Sequence, residues 1–369
     1  MRSPLPAALA AVCALLLTSV LTGCAASADG TASSSATTTV APSLADVRDD
    51  VLADPRSWEG PTSAVTAPTP VDPVTGPQPQ LPVTVEDAQG TEVTITDTSR
   101  ILALDVHGTL SRTVHELGLG GQVVGRDIST QFAEAADLPL VTQNGHDLNA
   151  EAILALDPTV ILTDTSLGPW DVVLQMRDAG IPVVVTDSHR GLDNLSSLTM
   201  EVADALGVPE RGRTLAERIE SEVAAVTEQI EAVAPADPTQ RLRTVFLYVR
   251  GQSGVYYLFG EGSGADSLID AVGLYDVAEE IGWDGMKPVT DEGIVAAQPE
   301  LVLMMTDGLE SAGGVDGLLE RLPALASTPA GQQRRFVDMA DAEILGFGPT
   351  TATTLNALAV AVHAPGAVS

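Results

Sequence analysis

The chain has 369 residues, of which 50 are acidic and 18 are basic, so its formal net charge at pH 7 is −32. This length is sufficient for two domains that each form a core. The excess of carboxylates argues against binding to nucleic acid or to anionic lipid headgroups, because both carry negative charge.

The N-terminus has the pattern of a secretory signal peptide over residues 1–23. Arg2 supplies an early positive charge, and an apolar run follows over residues 7–20. Residues 21–24 read Leu-Thr-Gly-Cys, which resembles the box of bacterial lipoproteins, where the cysteine is lipid-modified. We therefore expect lipidation at Cys24, an anchor in the cell membrane and a location on its extracytoplasmic face. Cys13 lies in the segment that would be removed, so the mature chain could form no internal disulfide.

Residues 24–80 are rich in Ser, Thr, Ala and Pro, and they predict a disordered linker. The folded part is predicted to begin at residue 81 with a hairpin of strands at 83–85 and 92–95. Strand and helix patterns then alternate, with strands predicted at 101–104, 159–162 and 182–185 and helices at 109–117, 151–156 and 170–179. This alternation predicts a parallel sheet covered by helices.

A long helix is predicted in the middle of the chain. Apolar residues recur at helical spacing from Leu215 to Val233, with charged residues between them. The predicted connecting helix, 209–235, separates an N-terminal lobe over 81–208 from a C-terminal lobe over 236–369. The fold class is therefore α/β, with two Rossmann-like lobes joined by a single long helix and a ligand cleft between the lobes.

An internal repeat supports this division into lobes. Residues 148–162 align without a gap with residues 289–303, at an offset of 141 positions. Each copy predicts a helix, a proline and a strand, and each places a glutamate, Glu151 or Glu292, at the start of its helix. A carboxylate suits a helix N-terminus, so a purely structural role explains both glutamates as well as a functional one does.

The strand predicted from Val245 to Arg250 carries an unusual pair of side chains. Side chains alternate along a strand, so Tyr248 and Arg250 should point the same way. A cation beside a phenol favours the phenolate, and tyrosine is a known axial ligand of haem iron. The alternative is that Tyr248 is an amphipathic core residue and Arg250 a surface charge.

Taken together, these features resemble the class III, or helix-backbone, substrate-binding proteins of ABC importers for haem, ferric siderophores and cobalamin. The resemblance covers residues 81–369 and is greatest to the haem-binding HmuT lipoproteins of actinobacteria. Besides the lipoprotein box, the long helix and the repeat, it rests on the motifs ILAL at 101–104, ELGLG at 116–120 and VVGRD at 123–127.

The resemblance implies a haem receptor and assigns its residues. His146 of the N-terminal lobe and Tyr248 of the C-terminal lobe would be the axial ligands of the haem iron, and Arg250 would support the phenolate. Glu151 and Glu292 would dock the lobes onto a permease dimer, which works with its ATPase. The transported ligand would be haem b, and the protein would not be an enzyme.

Several other residues are candidates for the cleft or for the core. His107, His189, Trp170 and Tyr257 are candidate cleft contacts, since they follow strands or lie near the predicted site. Of the two remaining histidines, His115 is predicted to be structural, within a helix, and His363 to be exposed near the C-terminus.

Four alternative functions remain open at this stage. The first is a ferric-siderophore or cobalamin receptor of the same class, and the second is a Zn(II) or Mn(II) receptor using His107, His146 and His189. The third is an enzyme with Asp105 and Asp164 as acid and base, although the chain contains no recognisable catalytic motif. The fourth is a structural lipoprotein of the cell wall.

Overall fold

The computed structural model of the protein describes residues 39–369. The predicted signal peptide, the predicted lipidation site Cys24 and the first part of the predicted linker lie outside the described residues. No helix among residues 39–369 combines the length and the apolar character needed to cross a membrane.

The described residues contain both strands and helices in an alternating order. The strands are β1 Thr62–Ala64, β2 Val83–Glu86, β3 Glu92–Ile95, β4 Ile101–Leu104, β5 Thr142–Gln143, β6 Asp147–Leu148, β7 Val160–Thr163, β8 Val183–Val185, β9 Arg243–Arg250, β10 Val255–Phe259, β11 Tyr275–Asp276, β12 Met286–Pro288, β13 Leu301–Met305 and β14 Phe336–Met339. The α-helices are α1 Thr109–Val114, α2 Ala150–Ala155, α3 Trp170–Asp178, α4 Leu195–Ala205, α5 Pro209–Glu231, α6 Ala265–Ala271, α7 Val277–Glu280, α8 Asp291–Ala297, α9 Thr306–Ala312, α10 Gly314–Arg321, α11 Pro323–Ala326, α12 Pro329–Gln333, α13 Asp341–Ile344 and α14 Thr351–His363. This mixture confirms the predicted α/β class.

Each lobe is built on its own sheet. In the N-terminal lobe, β4, β7 and β8 form a parallel sheet, and β2 and β3 form the predicted antiparallel hairpin. In the C-terminal lobe the strand order is β1-β14-β13-β9-β10-β12, and β11 pairs with β9. Strands β4, β7, β8, β13 and β14 are buried along their whole length, as expected for parallel strands covered on both faces.

The long helix α5 connects the two sheets in sequence. It begins at Pro209, whose ring suits the first helical turn, and buries Leu215, Ile219, Val223 and Ile230 on one face. This face packs against α4 and α14, one from each side of the connection. The structure confirms a mid-chain helix of more than 20 residues, and its last residue is Glu231 rather than residue 235.

The internal repeat is confirmed down to its capping residues. Asn149 accepts a hydrogen bond from the backbone of Ala152 at the start of α2, and Thr290 accepts the equivalent bond from Gly293 at the start of α8. The residues after the two helices, Asp157 and Gln298, both adopt positive φ, at 44° and 42°. The two units therefore have the same local conformation at the same offset.

The prediction of a disordered linker is wrong for residues 39–80. Leu44 is fully buried and Val74 nearly so, and both belong to the main core cluster. β1 pairs in parallel with β14 and so covers the edge of the C-terminal sheet, where unpaired backbone groups would otherwise remain. The composition of this segment misled the prediction, because its order comes from bonds to distant residues rather than from a core of its own.

The prediction that His363 is exposed is also wrong. This residue ends α14 after the apolar, fully buried run 357–362, and its Nε2 is 2.8 Å from the carbonyl oxygen of Val272. His115 is buried and structural, as predicted, with its Nδ1 2.8 Å from the carbonyl oxygen of Ser111.

Candidate functional site

Two adjoining cavities lie where the carboxyl ends of the parallel strands of both lobes meet the N-terminal segment. The first has a volume of about 390 Å³ and extends from His107 in the N-terminal lobe to Thr350 in the C-terminal lobe. The second, of about 640 Å³, reaches Asp341, directly after β14. Ligands of α/β proteins bind at such strand ends, so these cavities mark part of the candidate binding cleft. His146, Tyr248 and Arg250 do not line them, and Asp341 connects the second cavity to Arg250.

Tyr248 lies on β9, with its ring on the sheet face that carries Phe246. It is half-buried and stacks on Phe259 of the neighbouring strand, with ring centroids 5.8 Å apart. Its direct cross-strand partner is Tyr257, so both tyrosines lie on the same face of the sheet, whereas Tyr256 packs on the opposite face. The phenol oxygen of Tyr248 makes no hydrogen bond to any residue in the described part of the chain.

Arg250 contacts Tyr248, as the alternation along β9 predicts. Its guanidinium carbon lies 4.6 Å from the centroid of the Tyr248 ring, in a cation–π contact. The same guanidinium forms an ion pair with Asp341 at 3.4 Å. The cation therefore lies over the ring and against a carboxylate, rather than bonded to the phenol oxygen. Sequence reasoning missed Asp341, and no local pattern in the chain points to it.

His146 lies at the tip of a short hairpin between β5 and β6. The turn is tight because Asn144 and Gly145 adopt positive φ, at 49° and 93°. The pKa of His146 is lowered from its ordinary value of 6.5, first by desolvation of the ring and then by the positive charge of Arg250, while the charge of Asp341 opposes the shift. The imidazole of the N-terminal lobe is therefore within electrostatic reach of the Arg250–Asp341 pair of the C-terminal lobe.

His107 adjoins a buried charged cluster at the end of the N-terminal sheet. Burial, and then the charge of Arg190, lower the pKa of His107 to about 4, so its imidazole is neutral at physiological pH. Arg190 lies 2.6 Å from Asp164 and 3.5 Å from Asp105, and both carboxylates are buried. Burial raises the pKa of both carboxyls, and it raises that of the neighbouring Asp127 to about 7.

The arrangement of Asp105 and Asp164 is structural. Asp105 accepts hydrogen bonds from the backbone of Thr109 and Leu110 at the start of α1, and Asp164 accepts one from the backbone of Ser166. Neither carboxylate lines the two cavities. Both carboxylates are buried, and they hold loops in place beneath the cleft. Sequence reasoning missed Arg190, although its position after β8 is a usable signal.

The other candidate residues divide into two groups. Tyr257 lies beside Tyr248, and His107 lines the first cavity and is electrostatically coupled to His146. His189 is instead bonded to Asp193, at 3.1 Å, and Trp170 packs against the core of the N-terminal lobe. His107, His146 and His189 therefore do not converge on one point.

Glu151 and Glu292 are both exposed in the first turn of their helices, one in each lobe. Within residues 39–369, no group of three or more His, Cys, Asp or Glu side chains has the arrangement needed to hold a metal ion.

Comparison with known proteins places this architecture among solute-binding proteins. Residues 106–342, well over half of the chain, match the Periplasmic binding protein family. The crystal structure of heme binding protein HmuT is similar with a TM-score of 0.79 and 39% identity, covering 84% of this chain and 99% of that chain. The periplasmic heme-binding protein RhuT from Roseiflexus sp. RS-1, in apo form, has a TM-score of 0.66 and 36% identity, covering 73% of this chain and 100% of that chain.

A curated relative is the uncharacterized ABC transporter substrate-binding lipoprotein YvrC of Bacillus subtilis (strain 168). It is 23% identical over 286 residues, which are 76% of this chain and 85% of YvrC. Other similar structures are of HmuT variants in which a histidine, a tyrosine or an arginine two positions after that tyrosine is replaced by alanine. From the family match and the similarity to HmuT, we conclude that the chain belongs to the periplasmic binding protein family.

Proposed function

We propose that this protein is an extracytoplasmic receptor that binds haem and delivers it to an ABC importer. The observation that carries the proposal is that one guanidinium contacts a phenol of the C-terminal lobe and acts electrostatically on an imidazole of the N-terminal lobe. Arg250 lies over the ring of Tyr248, and its charge also lowers the pKa of His146. The solved structures that resemble this chain include several named as haem-binding proteins, which supports the same ligand.

The chemistry of the two side chains suits ferric haem as the bound substrate. His146 is neutral at neutral pH because its pKa lies below the ordinary value of 6.5, so a ring nitrogen is free to coordinate iron. The oxygen of Tyr248 makes no hydrogen bond to the described residues and is available as the second ligand. One imidazole and one phenolate would fill both axial positions, which favours Fe(III) and a carrier role over oxygen chemistry.

The neighbouring residues would hold the phenolate in place. Arg250 supplies positive charge on one side of the Tyr248 ring, and Phe259 stacks on the ring from the adjacent strand. Asp341 restrains the guanidinium of Arg250. Tyr257 lies beside Tyr248 on the same sheet face, where its ring can contact a flat macrocycle, and we propose haem b as that macrocycle.

Delivery would use the exposed first turn of one helix in each lobe. We propose that Glu151 and Glu292 dock onto basic residues of the permease dimer, because both are exposed and hold equivalent positions in the repeat. A lipid on Cys24 would keep the receptor at the extracytoplasmic face of the membrane. In this scheme the protein is a carrier that transfers its ligand unchanged, rather than an enzyme.

The decisive experiment is the absorption spectrum of the purified protein titrated with ferric haem. Tyr248→Phe keeps the ring but removes the ligand oxygen, and His146→Ala removes the imidazole. Matched controls are Tyr256→Phe, whose ring packs on the opposite sheet face, and His189→Ala, whose imidazole is bonded to Asp193. We expect a Soret band in the wild type and both controls, with altered ligand-field bands and weaker binding in the two site variants. Spectra identical across all five proteins would refute the ligand assignment, and an absent Soret band would refute haem as the substrate.

A further inference from the structure

The residues from Val65 to Val74, here called the strap, form a second connection between the two lobes. The strap leaves the C-terminal sheet at the end of β1 and runs to the N-terminal lobe. The long helix α5 makes the first connection, on a different segment of the chain. Hydrogen bonds along the strap attach it to both lobes.

On the C-terminal side, the strap begins where β1 pairs with β14. The hydroxyl of Ser63 in β1 donates a hydrogen bond to Asp338 of β14, at 2.9 Å. Three residues later, the hydroxyl of Thr66 donates to the carboxylate of Glu343, at 2.9 Å and 3.0 Å from its two oxygens. Together with the strand pairing, these contacts fix the first end of the strap.

On the N-terminal side, the buried side chain of Arg112 binds the strap. The guanidinium of Arg112 donates to the carbonyl oxygens of Thr69, at 2.9 Å, and Pro70, at 3.0 Å, and it forms an ion pair with Glu116 at 2.6 Å. Both Arg112 and Glu116 are buried. The buried ion pair therefore holds the guanidinium N–H groups of Arg112 in place as donors to the strap.

Further bonds continue along the strap toward α5. The backbone N–H of Val71 donates to Glu134 at 3.0 Å, and this bond is the largest cause of the lowered pKa of that carboxyl. The N–H of Asp72 donates to the carboxylate of Glu116 at 3.0 Å, and the N–H of Val74 donates to the carbonyl of Glu116 at 2.7 Å. The second end of the strap is therefore fixed as well.

The strap is stiff and forms a wall of the cleft. Pro68, Pro70 and Pro73 restrict its backbone, and proline-rich segments act as semi-rigid spacers. Residues 66–70 line the first cavity together with His107 of one lobe and Glu343 of the other. Thr66 also lines the second cavity, which reaches Asp341. The strap therefore borders a space that reaches the Arg250–Asp341 pair, next to the proposed iron ligand Tyr248.

We propose that the strap limits the separation of the two lobes and thereby determines how fast the bound ligand leaves. Opening the cleft on this side requires the strap to lengthen or to release its bonds to one lobe. A stiff segment with fixed ends cannot lengthen, so the lobes stay close while those bonds hold. The part of this inference that concerns ligand release rests on the proposed haem-binding function.

The test lengthens the strap without removing its bonds. A flexible Gly-Ser insertion of about ten residues after Ala67 adds slack, since such a chain has a root-mean-square span of roughly 15–20 Å. The control carries the same insertion after Gly90, in the exposed turn between β2 and β3. Spin labels at Leu154→Cys and Val295→Cys, which are exposed and hold equivalent repeat positions, report the separation of the lobes. Cys13→Ser and Cys24→Ser prevent labelling elsewhere.

In the ligand-free protein, the strap insertion should shift and broaden the distribution of distances between the labels, whereas the control should match the parent. Haem release to an excess of a competing apoprotein should become about tenfold faster, the equivalent of 1.4 kcal/mol. If the strap insertion unfolds the protein, Thr66→Val together with Glu134→Gln loosens the same segment at unchanged length.

An unchanged distance distribution in the folded strap variant would overturn the inference, and so would unchanged haem release despite wider lobes. A protein that fails to bind haem, but whose lobes separate when the strap is lengthened, would instead refute the proposed function and leave the control of lobe separation standing.

Discussion

Replacing Arg250 by glutamine removes a positive charge that lies over the ring of Tyr248 and lowers the pKa of His146. Arg250→Gln keeps much of the side-chain length and its capacity for hydrogen bonding, but it removes the cation over Tyr248. It also leaves Asp341 without its ion-pair partner. We expect weaker haem binding, a greater sensitivity of binding to acid and little change in the fold.

The size of the effect follows from the geometry. The guanidinium carbon is 4.6 Å from the ring centroid and the Arg250 side chain is 35% exposed, which suggests about 0.5–1 kcal/mol for the cation–π contact. The ion pair with Asp341 is partly exposed, at 35% and 23% for the two side chains, and is worth about 0–1 kcal/mol. A total loss of about 0.5–2 kcal/mol corresponds to a factor of roughly 2–30 in the haem dissociation constant.

The acid sensitivity follows from His146. Removing the charge of Arg250 removes the second-largest cause of its lowered pKa, so the pKa should rise toward 6.5. A proton then competes with iron for the imidazole at a higher pH, and haem binding should be lost at a higher pH than in the wild type. Proton NMR of the ligand-free protein measures this pKa directly, and absorbance titrations across pH measure the binding.

Arg243→Gln is the matched control, because Arg243 begins the same strand. Its guanidinium lies 5.8 Å from the ring of Tyr275 and pairs with Glu280, away from the cleft. This variant should lose a similar amount of stability in chemical unfolding while its haem affinity stays constant. A change of less than about twofold in Arg250→Gln, or an equal change in Arg243→Gln, would contradict the reasoning.

Three further predictions concern docking, the buried charges and the N-terminal segment. Charge reversal by Glu151→Lys with Glu292→Lys should abolish haem uptake in cells and leave haem affinity in vitro unchanged; a loss of affinity would argue against a docking role. Arg190→Met should cost about 3–5 kcal/mol of unfolding free energy, because it leaves buried carboxylates without their cation. Those carboxyls have raised pKa values in the folded protein, so the folded state binds more protons than the unfolded state does. The loss of unfolding free energy in Arg190→Met should therefore be larger near pH 8, where the carboxyls are ionised, than near pH 5.5. A loss that is independent of pH would contradict this. Leu44→Ala should cost about 2–5 kcal/mol, since Leu44 is fully buried, whereas Val40→Ala at a side chain 44% exposed should change little; equal effects would mean that the segment is not part of the core.

Local patterns in the chain were sufficient for the elements that form the framework of the site. The alternation along β9 placed Tyr248 and Arg250 on one face, and the contact between them confirms it. The repeat at an offset of 141 positions correctly predicted two equivalent helix–strand units, each with a glutamate in the first turn of its helix. Such features depend on backbone periodicity and on neighbours a few residues apart, which the sequence displays directly.

Contacts between distant segments could not be predicted in this way. Asp341 pairs with Arg250 across 91 positions of sequence, and Arg190 lies between the buried carboxylates of Asp105 and Asp164. Each of these charges has an ordinary local context, and only the meeting of strand ends in space brings it to its partner.

The N-terminal segment is where the prediction from sequence differs most from the tertiary structure. Its Ser, Thr, Ala and Pro content predicts a chain with too few apolar side chains to fold by itself. The sequence alone determined the α/β class and the long helix, because periodicity is local, and its resemblance to a known family supplied the candidate ligands. Only the tertiary structure decided that residues 62–74 pair with an open sheet edge and bridge the lobes, because that outcome depends on donors and acceptors supplied by strands and helices far along the chain.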